Sequence, residues 1–174
     1  MPQDQPNHLL LLQRFLLEQT DDSHTVSAAD ILSYWESYGI KLGRKSVYSA
    51  IEILQNSGMD IVCVKSTQNH YFVGTRLFEL PELKLLVDAV ESSRFITAKK
   101  SKQLIHKIGM LTSEYHATQL NRHIYMDGTA KPENECIYYT VDKIQTAIQE
   151  KRKISFQYYE YTPRKEKILK HNGY

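Results

Sequence analysis

The chain has 174 residues, 41% of them hydrophobic and 24% charged, with a formal net charge of +2. That balance suits one ordinary domain or two small ones, and the longest apolar run, residues 9–12, is far short of a membrane span. Asp4 comes early with no basic stretch before the leucines, which excludes a signal-peptide reading, and Cys63 and Cys136 lie far apart without a CxxC, so free thiols in a reducing cytoplasm are expected.

In chain order, residues 1–7 are a polar tail with two prolines. A helix is expected over 7–19, capped by Asn7, with Leu9, Leu12 and Leu16 on its apolar face. Residues 20–25 read as a polar loop. Ser27 then takes the N-cap place of a second helix, 28–38, and Asp30 takes the place of a capping-box acid. Ile31, Leu32, Trp35 and Tyr38 are the expected inward side chains. Gly39 breaks that helix.

The stretch 39–58, GIKLGRKSVYSAIEILQNSG, organises the first part of the chain. Val47, Ala50, Ile51 and Leu54 fall at i, i+3, i+4 and i+7, so they share one face of a helix. Lys45, Tyr48, Ser49, Glu52 and Asn56 point the other way, and Gly58 is placed to end the helix in a left-handed conformation. Two β-type runs follow, DIVCVK over 60–65 and HYFV over 70–73, joined by a polar turn and stopped at Gly74.

Helix, helix, short turn, helix and hairpin is the order of a winged helix-turn-helix, in which the third helix enters the major groove of DNA. The recognition helix would run over about 43–57 and the wing over 60–74. On that layout Lys45, Tyr48 and Ser49 face base edges, with Ser46 nearby, while Lys41, Arg44, Lys65 and His70 hold the backbone. The charge pattern weighs the other way. Residues 1–75 carry 5 Lys/Arg against 8 Asp/Glu, a net of −3. Weak non-specific binding is therefore expected, since that binding scales with the phosphates neutralised. A winged-helix module that docks on protein instead of DNA is the alternative reading.

The middle third, 76–135, reads as a helical connector. Pro81 opens a helix running to about residue 93, with Leu83, Leu86, Val87 and Val90 on one stripe. Thr97 caps a second helix, 98–115, on which Leu104, Ile108, Leu111 and Tyr115 repeat at intervals of 4, 3 and 4. The basic run Lys99, Lys100 and Lys102 reads as a solvated face. Residues 121–135 are irregular, with Asp127-Gly128 and Pro132 as turn signals. A helix over 139–149 follows, with Val141, Ile144 and Ile148 inward, then a strand over 153–161 and a returning strand over 166–170 before the turn signal Asn172-Gly173. Two strands do not make a stable sheet alone, so these residues read as the opening of a β domain.

No nucleophile elbow, P-loop, HExxH or paired-carboxylate pattern is present, so no enzyme is expected. The 7 histidines are scattered with no HxxxH or Cys/His cluster, so neither a metal site nor a cofactor is expected.

Three stretches together are similar to the bacterial WYL-domain transcriptional regulators: GRKSVYSAIEILQNSGMDI, FELPELKLLVDAVESSRFITAKKSKQLIHKI and NECIYYTVDKIQTAIQEKRKISFQYYEY. The first resembles the family's recognition helix and first wing strand, the second its connector, and the third the opening of its WYL domain, a small Sm/SH3-like β-barrel. The resemblance implies an α+β fold, mainly α, with three parts. Residues 1–75 would be a winged helix-turn-helix, 76–135 a connector with a possible dimerisation role, and 136–174 the first hairpin of the barrel. It implies a cytoplasmic homodimer bound to double-stranded DNA, with no membrane partner.

The chain departs from the family pattern in three respects. The naming Trp-Tyr-Leu tripeptide is absent, and Trp35 is the only tryptophan. The later barrel strands, which usually hold the effector site, are missing, so a truncated chain is expected and an effector could bind only with the missing part. Lys41-Leu42-Gly43 stands where the family often has a small polar cap.

Overall fold

The computed structural model describes residues 7–122, 136–164 and 166–169. Residues 1–6 of the expected 1–7 tail and the turn signals Asp127-Gly128, Pro132 and Asn172-Gly173 lie outside the described residues. The fold is α+β and mainly helical, with seven helices and two small antiparallel sheets among the described residues. No helix there is long and apolar enough to cross a membrane.

The first unit holds α1 (His8–Gln19), β1 (Val26–Ser27), α2 (Ala28–Ser37), α3 (Arg44–Asn56), β2 (Ile61–Lys65) and β3 (Asn69–Val73). Local chemistry sets most of these boundaries. Asn7 caps α1 by accepting from the Leu9 amide at 2.9 Å. Ser27 and Asp30 close a reciprocal capping box at the start of α2. Gly39 and Gly58, both at positive φ, end α2 and α3. In each case two backbone bonds wrap the helix end: Ile40 to Trp35 and Gly39 to Glu36, then Met59 to Leu54 and Gly58 to Gln55.

The apolar faces meet in one core made of Leu12, Leu16, Val26, Ile31, Trp35, Val47, Ala50, Ile51, Leu54, Ile61, Tyr71 and Val73. Trp35, fully buried, donates from its indole nitrogen to the His8 carbonyl at 3.1 Å, so its polar edge is satisfied inside that core. β3 is the central strand of a three-stranded sheet in the order β1-β3-β2, with Val26 opposite Tyr71 and Cys63 opposite Tyr71 on the other side.

Three helices form the second core: α4 (Leu80–Ser92), α5 (Ala98–Gly109) and α6 (Glu114–Arg122). Leu83, Val87, Ile105 and Leu120 are its buried centre. The single helix expected over 98–115 is two helices. Thr112 and Ser113, both buried, form the break, and Ser113 Oγ accepts from the His116 amide at 3.2 Å to start α6. Leu111 and Tyr115, expected on the inward stripe, are exposed instead. Gly109 lets α5 turn back closely on α6: a Cβ there would stand 3.3 Å from the Ala117 Cβ. Tyr38 and Leu86, also expected inward, are exposed as well, because Trp35 already fills the end of the first core and Leu83 and Val87 carry the α4 contact.

A buried polar junction joins the two units. Asp21, 2% exposed, accepts from the Ser23 and His24 amides and the His24 ring at Oδ1, and from the Ser113 hydroxyl at Oδ2. The His24 ring stacks on Tyr115, with 3.5 Å between centroids. Arg76 donates to the Thr20 carbonyl at 2.5 Å. Burial pushes the Asp21 carboxyl upward, but the hydrogen bonds from Ser113, His24 and the Ser23 amide, with His116 nearby, hold it below its ordinary value.

The final described part is α7 (Cys136–Gln149), followed by the hairpin β4 (Tyr159–Tyr161) and β5 (Lys167–Leu169). The strand expected over 153–161 is regular only at its last three residues, and the returning strand is shorter than expected. All described side chains of both strands are exposed, so burial marks no inner face along the alternation from Ile154 to Tyr158. Ile144 and Ile148, expected inward on α7, are exposed as well.

Candidate nucleic-acid interface

The α3 helix buries Val47, Ala50, Ile51 and Leu54 and turns its opposite side to solvent. Lys45, Ser49 and Glu52 are exposed on that outer side, and Tyr48 is 45% exposed beside them. Ser46 is half-buried. Gly43 occupies the N-cap position and has no side chain to spend on the first amides, and no acid stands in the first turn. The positive end of the helix dipole is therefore uncompensated by the chain itself, and Arg44 and Lys45 add full charges there. Lys41, exposed in the preceding turn, extends the same patch.

The hairpin continues this surface. Side chains alternate along β3, so Tyr71 and Val73 enter the core while His70 and Phe72 face the other way. Lys65 pairs with Asn69 at the turn end of the hairpin, and the Asn69 amide reaches the Tyr71 hydroxyl at 3.5 Å. Burial chiefly raises the Tyr71 phenol, with a smaller upward push from Cys63 and from Tyr48. Tyr71, 4% exposed, belongs to the core beneath this surface. Lys65 shares the Tyr71 side of the sheet with Cys63 and Asn69.

Of the eight residues expected to touch DNA, seven stand on α3, the turn before it or the Tyr71 side of the hairpin. His70 does not join them. It is half-buried on the opposite sheet face, where its Nδ1 lies 3.3 Å from the Thr25 hydroxyl. It therefore faces the start of α2.

Electrostatic placement concentrates what little positive charge the first unit has. Its five basic residues are Arg14, Lys41, Arg44, Lys45 and Lys65. Arg14 is spent on Glu18 at 2.9 Å. The other four are exposed, and none has an ion-pair partner among the described residues. Several acids are occupied elsewhere: Asp21 in the junction, Asp30 in its capping box and Asp60 with the Thr75 hydroxyl at 2.7 Å. Glu52 alone opposes the basic group on the outer face of α3.

One neighbour of this surface is not legible in the sequence as such. His8 flanks a shallow cleft of about 340 Å³ with Lys45, Ser46, Ser49, Ala50 and Ile53, because α1 begins next to the outer side of α3. Its ring stands edge-on to Trp35 at 5.4 Å, a tertiary contact with no local signal. No protein-family model matches the chain, and no curated protein or solved structure matches it.

Proposed function

We propose that the chain is a sequence-specific DNA-binding transcription regulator similar to the WYL-domain regulators, with residues 1–75 as its winged helix-turn-helix. On this reading α3 lies in the major groove and the β2–β3 hairpin is the wing. Lys45, Tyr48 and Ser49 read base edges, while Lys41, Arg44 and Lys65 hold phosphates. The observation that carries the reading is the segregation of charge in an acidic unit: every basic side chain there that is not spent on an internal partner lies around α3 and the hairpin end. The uncapped N-terminus of α3 adds backbone amides suited to a phosphate.

Copies of the chain would pair through the connector, a role supported by Leu85, Phe95 and Met110, which are 69%, 65% and 73% exposed. The β4–β5 hairpin fits the opening strands of a Sm-like barrel. A different reading, docking of protein on α3, draws on the net charge of −3 over 1–75 and on the exposed Ile53 and Val64.

A binding titration separates the two. An operator is first selected from a random duplex library, and wild type is compared with Lys45→Ala and Tyr48→Ala by fluorescence anisotropy. Loss of about 1–3 kcal/mol of binding in each variant supports groove reading. Selection of no sequence, with no retention on heparin at low salt, sinks the DNA reading.

A further inference from the structure

The junction between the two units opens into a cavity of about 410 Å³ lined in part by Asp21, Asp22, Arg76, Glu79, Thr112 and His116. Three of these bring potential metal donors together. One ligand atom from each of Asp21, Asp22 and His116 lies within 4.8 Å of the others. The set mixes two carboxylates with an imidazole and comes from two different units of the fold. Sequence spacing hides it, because His116 is on α6 and the aspartates sit between α1 and β1.

The hydrogen bonding singles out the open positions. Asp21 Oδ1 takes three donors, whereas Oδ2 takes only the Ser113 hydroxyl and keeps a lone pair. That oxygen stands 3.8 Å from His116 Nε2, too far for a hydrogen bond. The other ring nitrogen, Nδ1, lies 3.3 Å from the Thr112 hydroxyl. In the tautomer that donates from Nδ1 to Thr112, the Nε2 lone pair faces the Asp21 lone pair. In that tautomer a cation between the two atoms would meet both lone pairs. A proton on Nε2 would need one carboxylate only, yet a second, Asp22, is at hand with no hydrogen-bond partner among the described residues. Arg76 donates to the Thr20 carbonyl, and no ion pair joins it to Asp21 among the described residues.

We propose that Asp21, Asp22 and His116 bind a divalent transition-metal cation of the zinc or manganese type. Bonds of about 2.0–2.2 Å to nitrogen and oxygen span up to about 4.2 Å, so a single ion fits the 3.8 Å gap, and the exposed Asp22 closes by rotation. Thr112 fixes the imidazole from behind, as metal-bound histidines usually require. The imidazole donor selects against magnesium and calcium, which prefer all-oxygen sites. The bound ion would clasp the 21–22 loop of the first unit to α6 of the second.

The test uses the whole chain stripped with a chelator and titrated calorimetrically with zinc or manganese chloride, with magnesium chloride as the comparison. One site per chain is expected, weakened by roughly tenfold or more in His116→Gln and in Asp22→Asn. Asp22→Asn changes an exposed group without hydrogen-bond partners among the described residues, so it keeps the test open if His116→Gln does not fold. A shift of the His116 ring resonances on adding zinc to wild type is the companion signature. Absence of a site at one ion per chain, or affinity unchanged in a folded His116→Gln or Asp22→Asn variant, overturns the proposal. Neither readout involves DNA, so the result is independent of the DNA-binding reading.

Discussion

Ser113 donates its hydroxyl to Asp21 across 2.6 Å, joining positions 92 residues apart inside the junction of the two units. The same oxygen accepts from the His116 amide and so caps α6. Ser113→Ala removes both bonds at a fully buried position. It leaves one Asp21 oxygen short of a donor and α6 without its cap, so a loss of about 2–3 kcal/mol is expected. Urea unfolding followed by circular dichroism measures it; a midpoint equal to wild type would mean that water replaces the hydroxyl at no cost.

This junction also shows what a sequence can and cannot carry. Asn7, Ser27 with Asp30, Gly39 and Gly58 are readable because a cap or a left-handed turn is decided within a few residues. β1 is not: Val26 and Ser27 are a strand only because Tyr71 and His70 lie alongside. The 4-3-4 spacing from Leu104 to Tyr115 imitates one helix, and the break at Thr112 and Ser113 is fixed by a bond to Asp21, far away in the chain. The same limit applies to the candidate interface. The outer face of α3 follows from 3.6-residue periodicity, whereas His70 departs from the expected interface because the alternation of β3 assigns it to the face opposite Tyr71.

Two glycines should fail for opposite reasons. Gly39 has φ of 77° and open space where a methyl group would stand, so Gly39→Ala carries backbone strain alone, about 1–2 kcal/mol. Gly39→Asn should recover part of that loss, since asparagine tolerates the left-handed region. At Gly74 a Cβ would stand 2.7 Å from Asp60 Oδ2 and 2.8 Å from Val62 Cγ2. Gly74→Ala therefore displaces Asp60 from the Thr75 hydroxyl, and Gly74→Asn should be no better. Thermal unfolding of the four variants distinguishes strain from clash.

The α2 capping box makes a pH prediction. The Ser27 hydroxyl and amide both donate to Asp30 Oδ2 at 2.7 Å and hold that carboxyl below its ordinary 3.8. The folded chain therefore binds a proton at Asp30 less readily than the unfolded chain. Its contribution is complete above 3.8 and disappears as pH falls through the lower folded value. Ser27→Ala should cost about 1 kcal/mol at neutral pH. The gap between wild type and Asp30→Asn in urea midpoints should close as the solution is acidified toward about pH 2. A gap that persists unchanged there would show that the Asp30 charge has no part in the cap.

Salt dependence tests how the basic group on α3 and the hairpin works. If Lys41, Arg44 and Lys65 each neutralise one phosphate, the log–log slope of affinity against salt is about −3, shallow for a DNA-binding protein. Lys65→Ala should reduce its magnitude by about 1 and weaken all duplexes alike. Tyr48→Phe should leave the slope unchanged and lower affinity for the selected operator only, because it removes a hydroxyl and no charge. Arg14→Ala is the control: its guanidinium is paired with Glu18 on α1, away from the basic group, so neither slope nor operator preference should move. A slope that falls with Arg14→Ala as much as with Lys65→Ala would show that overall charge drives binding, and that the contacts placed on α3 do not decide it.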